Sequence, residues 1–294
     1  MTSTAVAVTF GLLTALANAA AVMMQHVAST AGGRRGWPWV RHVVRHPLWL
    51  LGWVAMAGSL VFQAVALHAG PMSLVQPLLV SELVIALVLR RLWRRQRLSR
   101  PAWTSAAVTT LSLATVLVVL DPHGVARTPT RTAWVTTIVA SAIAVLVLLV
   151  VARGAGPGRR AASFATATAV LWALEATFIK SATDVLVAGG VGALLTSWPL
   201  YALVVAGLGG LTTEQFALRE GPLRVSQPLI VIVDPLVSVL YGLGLFHERL
   251  ASGGLVLVVA GVAAVAMGVG VVVMTSSVPE TLVPEVLPPA ASTD

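Results

Sequence analysis

The sequence predicts an all-α integral membrane protein with about nine transmembrane helices, arranged as two inverted four-helix repeats joined by a fifth, linker helix. Hydrophobic residues make up 57% of the 294 positions and charged residues only 10%, so the chain lacks the polar surface of a soluble globule. Its apolar segments reach the roughly 20 residues that a membrane helix needs, and they are continuously apolar rather than alternating, which excludes a β-barrel. The third observation is an internal repeat.

The repeat is clearest in two stretches, 66–78 and 217–229. Both contain Ala-Leu, then Gly-Pro, then Gln-Pro-Leu at the same spacing, at an offset of 151 residues. A match of this length indicates an internal duplication. In both copies the Gly-Pro pair separates two apolar spans and leaves almost no loop, which predicts an antiparallel helical hairpin.

The first repeat is predicted over 1–130, the linker over 131–155 and the second repeat over 156–275. The opening span lacks the basic start and the short apolar run of a cleaved signal peptide, so we interpret it as a membrane helix. The tail, 276–294, is rich in Pro, Glu, Ser and Thr, which predicts disorder. The nine spans are predicted at 5–27, 48–68, 71–88, 102–120, 133–151, 161–186, 198–218, 222–246 and 253–274.

Arginine is distributed unequally among the loops. Fifteen arginines follow spans one, three, five and seven, whereas three follow the other spans. The positive-inside rule therefore predicts an external N-terminus and a cytoplasmic C-terminus in a bacterial inner membrane. The odd linker helix makes the second copy enter from the opposite face, so the repeats have inverted topology. Because this placement explains the net charge of +8, we expect membrane lipids and no nucleic acid as partners.

Inverted repeats are typical of proteins that open one site alternately to the two sides of a membrane. The sequence has no cysteine, no histidines at metal-ligand spacing and no phosphate-binding glycine-rich loop with Lys-Ser/Thr. We therefore predict a transporter rather than an enzyme, and no cofactor.

Prolines indicate where its site lies. Pro77 and Pro228 fall at matching positions in spans three and eight, and each removes a backbone donor and frees a carbonyl group. Paired interruptions of this kind predict a central cavity, which Pro235 also shapes. Gln76 and Gln227 precede the first two prolines, and their amides can bind either the freed carbonyls or a substrate.

Charged residues inside the spans are the other candidates, since each costs on the order of 3 kcal/mol at the bilayer centre. Glu82 and Asp234 correspond at an offset of 152 residues and lie midway along spans three and eight. Such acids can bind a cation, share or relay a proton, or only fix the packing. In a magnesium transporter they would be direct metal ligands.

Further ionisable residues lie on spans six and seven. Glu214 corresponds to Gln63 of the first copy, and Glu175 lies on span six; both are candidates for binding a substrate or a coupling ion. Lys180 can attract an anionic substrate group or pair with Asp184, four residues further along the same helix.

Small residues recur every four positions on span nine, at Ala260, Ala264 and Gly268. Close helix packing within the chain is the first interpretation of this stripe, and a homodimer is the second.

These motifs together resemble the drug/metabolite transporter superfamily, of the EamA-like kind. The resemblance rests on the 217–229 stretch, on Asp234-Pro235-Leu236, and on His247-Glu248-Arg249-Leu250 followed by Gly261 in the next helix. The first copy has Gln96-Arg97-Leu98 in place of Glu-Arg-Leu. Nine spans rather than the usual ten are more similar to the branch of NIPA-type magnesium transporters.

The resemblance implies alternating access around a cavity between spans one, three, six and eight. Our leading interpretation is a proton- or ion-coupled secondary transporter for a small metabolite or drug. A Mg²⁺ or other divalent-cation transporter is one alternative. A lipid flippase subunit or a non-transporting membrane partner is another.

Overall fold

The computed structural model describes residues 2–30, 45–94, 100–123, 128–220 and 223–276. These parts of the chain are helical apart from short connections and one isolated β-bridge. Most of the arginine-rich loops, the Gly221-Pro222 turn and residues 277–294 of the predicted tail lie outside them. The helices are α1 (Thr2–Thr30), α2 (Pro47–Ala69), α3 (Met72–Leu79), α4 (Ser81–Arg94), α5 (Arg100–Leu120), α6 (Arg131–Arg153), α7 (Pro157–Thr196), α8 (Trp198–Glu220), α9 (Leu223–Gly244) and α10 (Gly254–Ser276).

Eight helical segments in the described part of the chain are long and apolar enough to cross a membrane. Helices α3 and α4 count as one of them, Met72–Leu92. These segments confirm the expectation of an all-helical, multi-pass membrane protein. Helix α8, the predicted seventh span, has 23 residues but is not among the eight, and it carries the polar run 212–215. The count of nine spans therefore stays a prediction.

The predicted third span is interrupted after Pro77. Helix α3 ends at Leu79, and the hydroxyl of Ser81 donates to the carbonyl oxygen of Leu78 at 2.6 Å, because the broken helix leaves that carbonyl free. Helix α9, by contrast, continues through both Pro228 and Pro235. Only one of the two predicted interruptions is thus a break between helices.

Each predicted repeat begins with two closely packed helices, α1 with α2 and α7 with α8. In the first pair the rings of Phe10 and Phe62 lie 5.9 Å apart, and in the second those of Phe164 and Phe216 lie 5.3 Å apart. Phe164 and Phe216 each lie 154 positions after Phe10 and Phe62, which is three more than the offset of the repeated motif. The remaining helices follow a matching plan, since α3 and α4 pack on α1 while α9 packs on α7.

Helices α5 and α10, the last spans of the two predicted repeats, pack against each other at a close approach. A Cβ atom on Gly270 would lie 3.2 Å from the carbonyl oxygen of Ser105 and against the hydroxyl of Thr109. Thr109 is 1% exposed and β-branched, so it has little freedom to move away. Glycine at 270 therefore sets the separation of these helices.

The Gly270→Ala protein is expected to be less stable by about 1–3 kcal/mol, because the added methyl group overpacks this contact. The measurement is the melting temperature of the purified protein in detergent. Gly261→Ala on the same helix is the matched control, since a Cβ atom at Gly261 meets nothing within 4 Å. Equal melting temperatures for the two variants would contradict the role of Gly270.

Candidate functional site

Four acidic side chains lie within the membrane-spanning part of the bundle. Glu82 stands on α4, Glu175 on α7, Glu214 on α8 and Asp234 on α9. All four are half-buried. They form two couples of interacting carboxyl groups, described next.

The first couple joins the two predicted repeats. Asn18 of α1 donates its side-chain amide to the Glu82 carboxylate at 3.2 Å, and Glu82 is close enough to Glu214 for the two to interact electrostatically. Trp172 of α7 lies near Glu214. Each acid thus has a neutral polar side chain beside it, from the first helix of its own predicted repeat.

The second couple is Glu175 and Asp234, which interact electrostatically between α7 and α9. Helix α8 makes room for Glu175 at Gly207, where a Cβ atom would lie 3.2 Å from the carboxylate. The hydroxyl of Ser238 donates to Asp234 at 3.1 Å. Tyr241 also lies near Asp234 and shares a 2.6 Å hydrogen bond with Ser141 of α6.

The ion pairs of the described residues do not include any of the four acids; they are His68–Asp184, His123–Asp121 and Arg160–Glu220. An ionised carboxylate in a membrane interior is costly unless a cation or hydrogen bonds compensate it. The two couples are therefore places where a proton or a cationic ligand would be held. In the described part of the chain, no group of three or more histidine or acidic side chains has a metal-binding arrangement.

The predicted glutamines and prolines occupy different environments. Gln76 is 1% exposed, and its amide nitrogen has no hydrogen-bond partner among the described residues. Gln227 is half-buried, and the three prolines of the motifs, Pro77, Pro228 and Pro235, are buried. A buried donor without a partner is costly, so the Gln76 amide remains a candidate for ligand binding.

Lys180 lies away from these acids, at the end of the bundle that holds the turn between α2 and α3. Its ammonium group donates to the carbonyl oxygens of Leu67 and Gly70, the latter at 2.9 Å. Asp184, which the sequence suggested as its partner, instead contacts His68 of α2 at 2.6 Å. Glu248 binds the same turn, so we call this end of the bundle the Glu248 end.

Glu248 approaches the same turn from the connection between α9 and α10. One of its carboxylate oxygens accepts from the backbone N–H of Met72 at 2.6 Å; the other accepts from the backbone N–H of Ser73 at 2.9 Å and from its hydroxyl at 2.7 Å. The sequence analysis did not select Glu248 as a site residue, although the Glu-Arg-Leu motif contains it. Asn18 and Trp172 were also missed, since neutral side chains in apolar spans give no charge signal.

Aromatic rings fill the space beside this end. Trp134 stacks on Phe178 at 5.5 Å and meets Trp198 and Phe246 edge-on at 4.9 and 6.3 Å. His123 and Arg249 form a short antiparallel bridge with two backbone hydrogen bonds, whose N–O distances are 3.0 and 2.9 Å. At the Glu248 end the linker helix therefore packs on the second predicted repeat, and the His123–Arg249 bridge joins the two predicted repeats.

A groove of about 360 Å³ lies between α5 and α10 on the outer face of the bundle. None of the four acids lines it, and its lining includes no charged residue that could hold a lipid headgroup. The lining residues are Leu111, Ser112, Thr115, Val258, Val259, Val262 and Ala263. We therefore do not place the functional site there.

Comparison with known proteins gives few clues to function. No model of a protein family matches the chain. An uncharacterized protein of Corynebacterium glutamicum is similar, with 25% identity over 253 residues that cover 85% of this chain and 87% of that protein. No solved structure matches.

Proposed function

We propose that the chain is a secondary transporter that moves a small molecule across the bacterial inner membrane by alternating access, coupled to protons or ions. The observation that carries this proposal is the two carboxylate couples inside the bundle, Glu82 with Glu214 and Glu175 with Asp234, which are absent from the ion pairs of the described residues. Such couples need a proton or a cationic ligand to neutralise them inside the membrane.

Coupling follows from that need. When the substrate is absent, a proton neutralises a couple. A cationic or hydrogen-bonding substrate that binds the same couple displaces this proton, so that binding of the substrate releases a proton. A site that holds either the proton or the substrate, but not both, exchanges one for the other as it opens to alternate sides. Glu82 and Asp234 are the coupling groups in this proposal, with Glu175 and Glu214 as their partners.

The helix packing supports the inverted repeats that alternating access requires. Helices α1 to α5 and α7 to α10 pack in matching order. Helix α6 links the two sets along the chain, and most of its side chains are exposed. The predicted topology, with the N-terminus outside, puts the two copies in opposite orientations. The similarity to a bacterial protein and the resemblance to drug/metabolite transporters, including their NIPA-like branch, agree with this proposal.

Magnesium transport is the second candidate, favoured by the pairing of the acids. Mg²⁺ keeps several of its waters and is commonly held by one or two carboxylates, so a single couple could bind it.

The test uses purified protein in liposomes that contain a pH dye and a Mg²⁺ indicator. Addition of a solute from a panel of amines, amino acids and drug-like cations is expected to cause proton movement at least about tenfold faster than in protein-free liposomes. Mg²⁺ entry without any solute would instead favour the metal transporter. If neither signal exceeds that of protein-free liposomes for any member of the panel, the proposal fails.

A further inference from the structure

The turn between α2 and α3 is held by an acid from the opposite half of the chain. Glu248 is 4% exposed, and its two oxygens take the backbone N–H groups of Met72 and Ser73 together with the Ser73 hydroxyl. These N–H groups begin α3 and have no partner within the helix, so the start of the helix attracts negative charge. Gly242 leaves the space that Glu248 occupies, because a Cβ atom there would strike the carboxylate.

A base holds the other side of the same turn. Lys180 is 2% exposed, donates to the carbonyl oxygens of Leu67 and Gly70, and lies 5.5 Å from the ring centre of Phe246. The last carbonyl groups of α2 have no helical partner and attract positive charge. The turn thus has a cation at the end of one helix and an anion at the start of the next.

The two charges also balance each other. Lys180 interacts electrostatically with Glu248 and also with Asp184, and the Gly70-Pro71 turn lies between Lys180 and Glu248. Buried charges that are hydrogen-bonded and balanced persist, but removing either one leaves the other uncompensated, which is strongly unfavourable. Because Lys180 and Glu248 belong to the second predicted repeat and the turn to the first, this contact fastens the two repeats together.

The contact of Glu248 and Lys180 with the α2–α3 turn lies at one end of the bundle. Helix α2 packs on α7 at the Glu248 end, but no comparable packing joins their counterparts, α1 and α8, in the described part of the chain. At the position that corresponds to Glu248 the first copy has Gln96, which also precedes Arg-Leu but is neutral. The sequence therefore provides the acid of this contact in only one of its two copies.

We propose that Glu248 and Lys180 form a lock that holds the Glu248 end of the transport path closed, and that the carboxylate couples open to that side only when the lock releases the α2–α3 turn. This inference rests on the proposed transport function. Within it, Lys180 has the role of a gate residue rather than a substrate ligand.

The test measures opening without any substrate. Because the chain has no cysteine, Met72→Cys gives a single thiol in place of a fully buried side chain, while its backbone N–H still reaches Glu248. The rate at which a membrane-impermeant maleimide labels this thiol, from each face of sealed vesicles, reports opening. Adding Glu248→Gln or Lys180→Met is expected to raise the rate from one face by roughly 10- to 100-fold, because charge-assisted hydrogen bonds are lost.

Glu220→Gln in the Met72→Cys background is the matched control. Its carboxylate accepts from Arg160 at 2.8 Å, but that ion pair joins α7 and α8 within one predicted repeat. Its labelling rate should equal that of Met72→Cys alone. Ser73→Ala, which removes only the hydroxyl bond, should raise the rate by roughly 2- to 10-fold, and it decides the question if Glu248→Gln does not fold.

Unchanged labelling in the folded Glu248→Gln and Lys180→Met proteins, or in Ser73→Ala if those do not fold, would overturn the lock. That result, in a protein that still carries solute-coupled flux, would leave the transport function intact. Faster labelling in a protein without flux for any solute or for Mg²⁺ would instead refute the transport function, because labelling requires neither a substrate nor an ion gradient.

Discussion

Replacing Glu82 by Gln and Asp234 by Asn in one chain is expected to lower solute-coupled proton flux by about 100-fold or more. Each substitution removes one of the two ionisable groups of a couple while preserving the side-chain volume. Because an amide cannot take up or release a proton, the proposed coupling groups are lost, and a 100-fold loss of flux corresponds to about 2.8 kcal/mol. Flux is measured in liposomes with a pH dye, using the solute that gives the largest wild-type signal.

Glu220→Gln serves as the control for flux as well. It also exchanges an acid for its amide, but at a partly exposed ion pair with Arg160, where the contribution to stability is small. The melting temperatures of all variants are compared, so that a loss of flux is not mistaken for unfolding. Wild-type flux with unchanged pH dependence in the double variant would remove Glu82 and Asp234 from the coupling role, and with them the main support for the proposed function.

The helical membrane architecture could be predicted because its signal is redundant. A run of about 20 apolar residues has few stable alternatives to a membrane helix, and each predicted span overlaps a helix of the structure. The limits of α7 were less predictable. Its backbone is not helical at Gly190, where φ is +72°, a conformation that glycine admits, and a short helical segment follows this kink and ends at Thr196.

Matching proline motifs did not give matching helices. Pro77 and Pro228 are each the sixth residue of their helix, yet α3 ends soon afterwards and α9 does not. A difference further along accompanies this result. Ser81 donates its hydroxyl to the carbonyl oxygen of Leu78 at the break, whereas the corresponding positions of α9 are Ile232 and Val233, which offer no donor.

The acids of the candidate site could be selected from the sequence, but their pairing could not. A charge in an apolar span is conspicuous, and this drew attention to Glu82, Glu175, Glu214 and Asp234. Which acids become neighbours depends on how α4, α7, α8 and α9 cross, and residue spacing along single helices does not determine this. The symmetry-related acids Glu82 and Asp234 each interact with a different partner.

Lys180 illustrates the same limit. Helical spacing made Asp184 its natural partner, since residues four apart face the same side. In the structure the unpaired carbonyl groups at the end of α2 bind the ammonium group, and Asp184 binds His68. Instead of pairing with each other, Lys180 and Asp184 each contact α2 or the turn that follows it, in the other predicted repeat. Both contacts must therefore break if the two predicted repeats move apart at this end.

A covalent bridge between positions 68 and 184 is expected to abolish flux. His68 and Asp184 touch at 2.6 Å and are about half-exposed, so cysteines there should be tolerated and accessible. A short bis-methanethiosulfonate cross-linker, which forms a disulfide bond with each thiol, would tie α2 to α7 at the Glu248 end and prevent the opening that alternating access requires there. Flux should fall to the protein-free level and return when the disulfide bonds are reduced. Cysteines at Arg160 and Glu220, whose charged groups lie 2.8 Å apart between α7 and α8 of one predicted repeat and are partly exposed, are the control and should leave flux intact after the same treatment. Full flux through a completely cross-linked 68–184 protein would mean that the two predicted repeats do not separate at this end during transport.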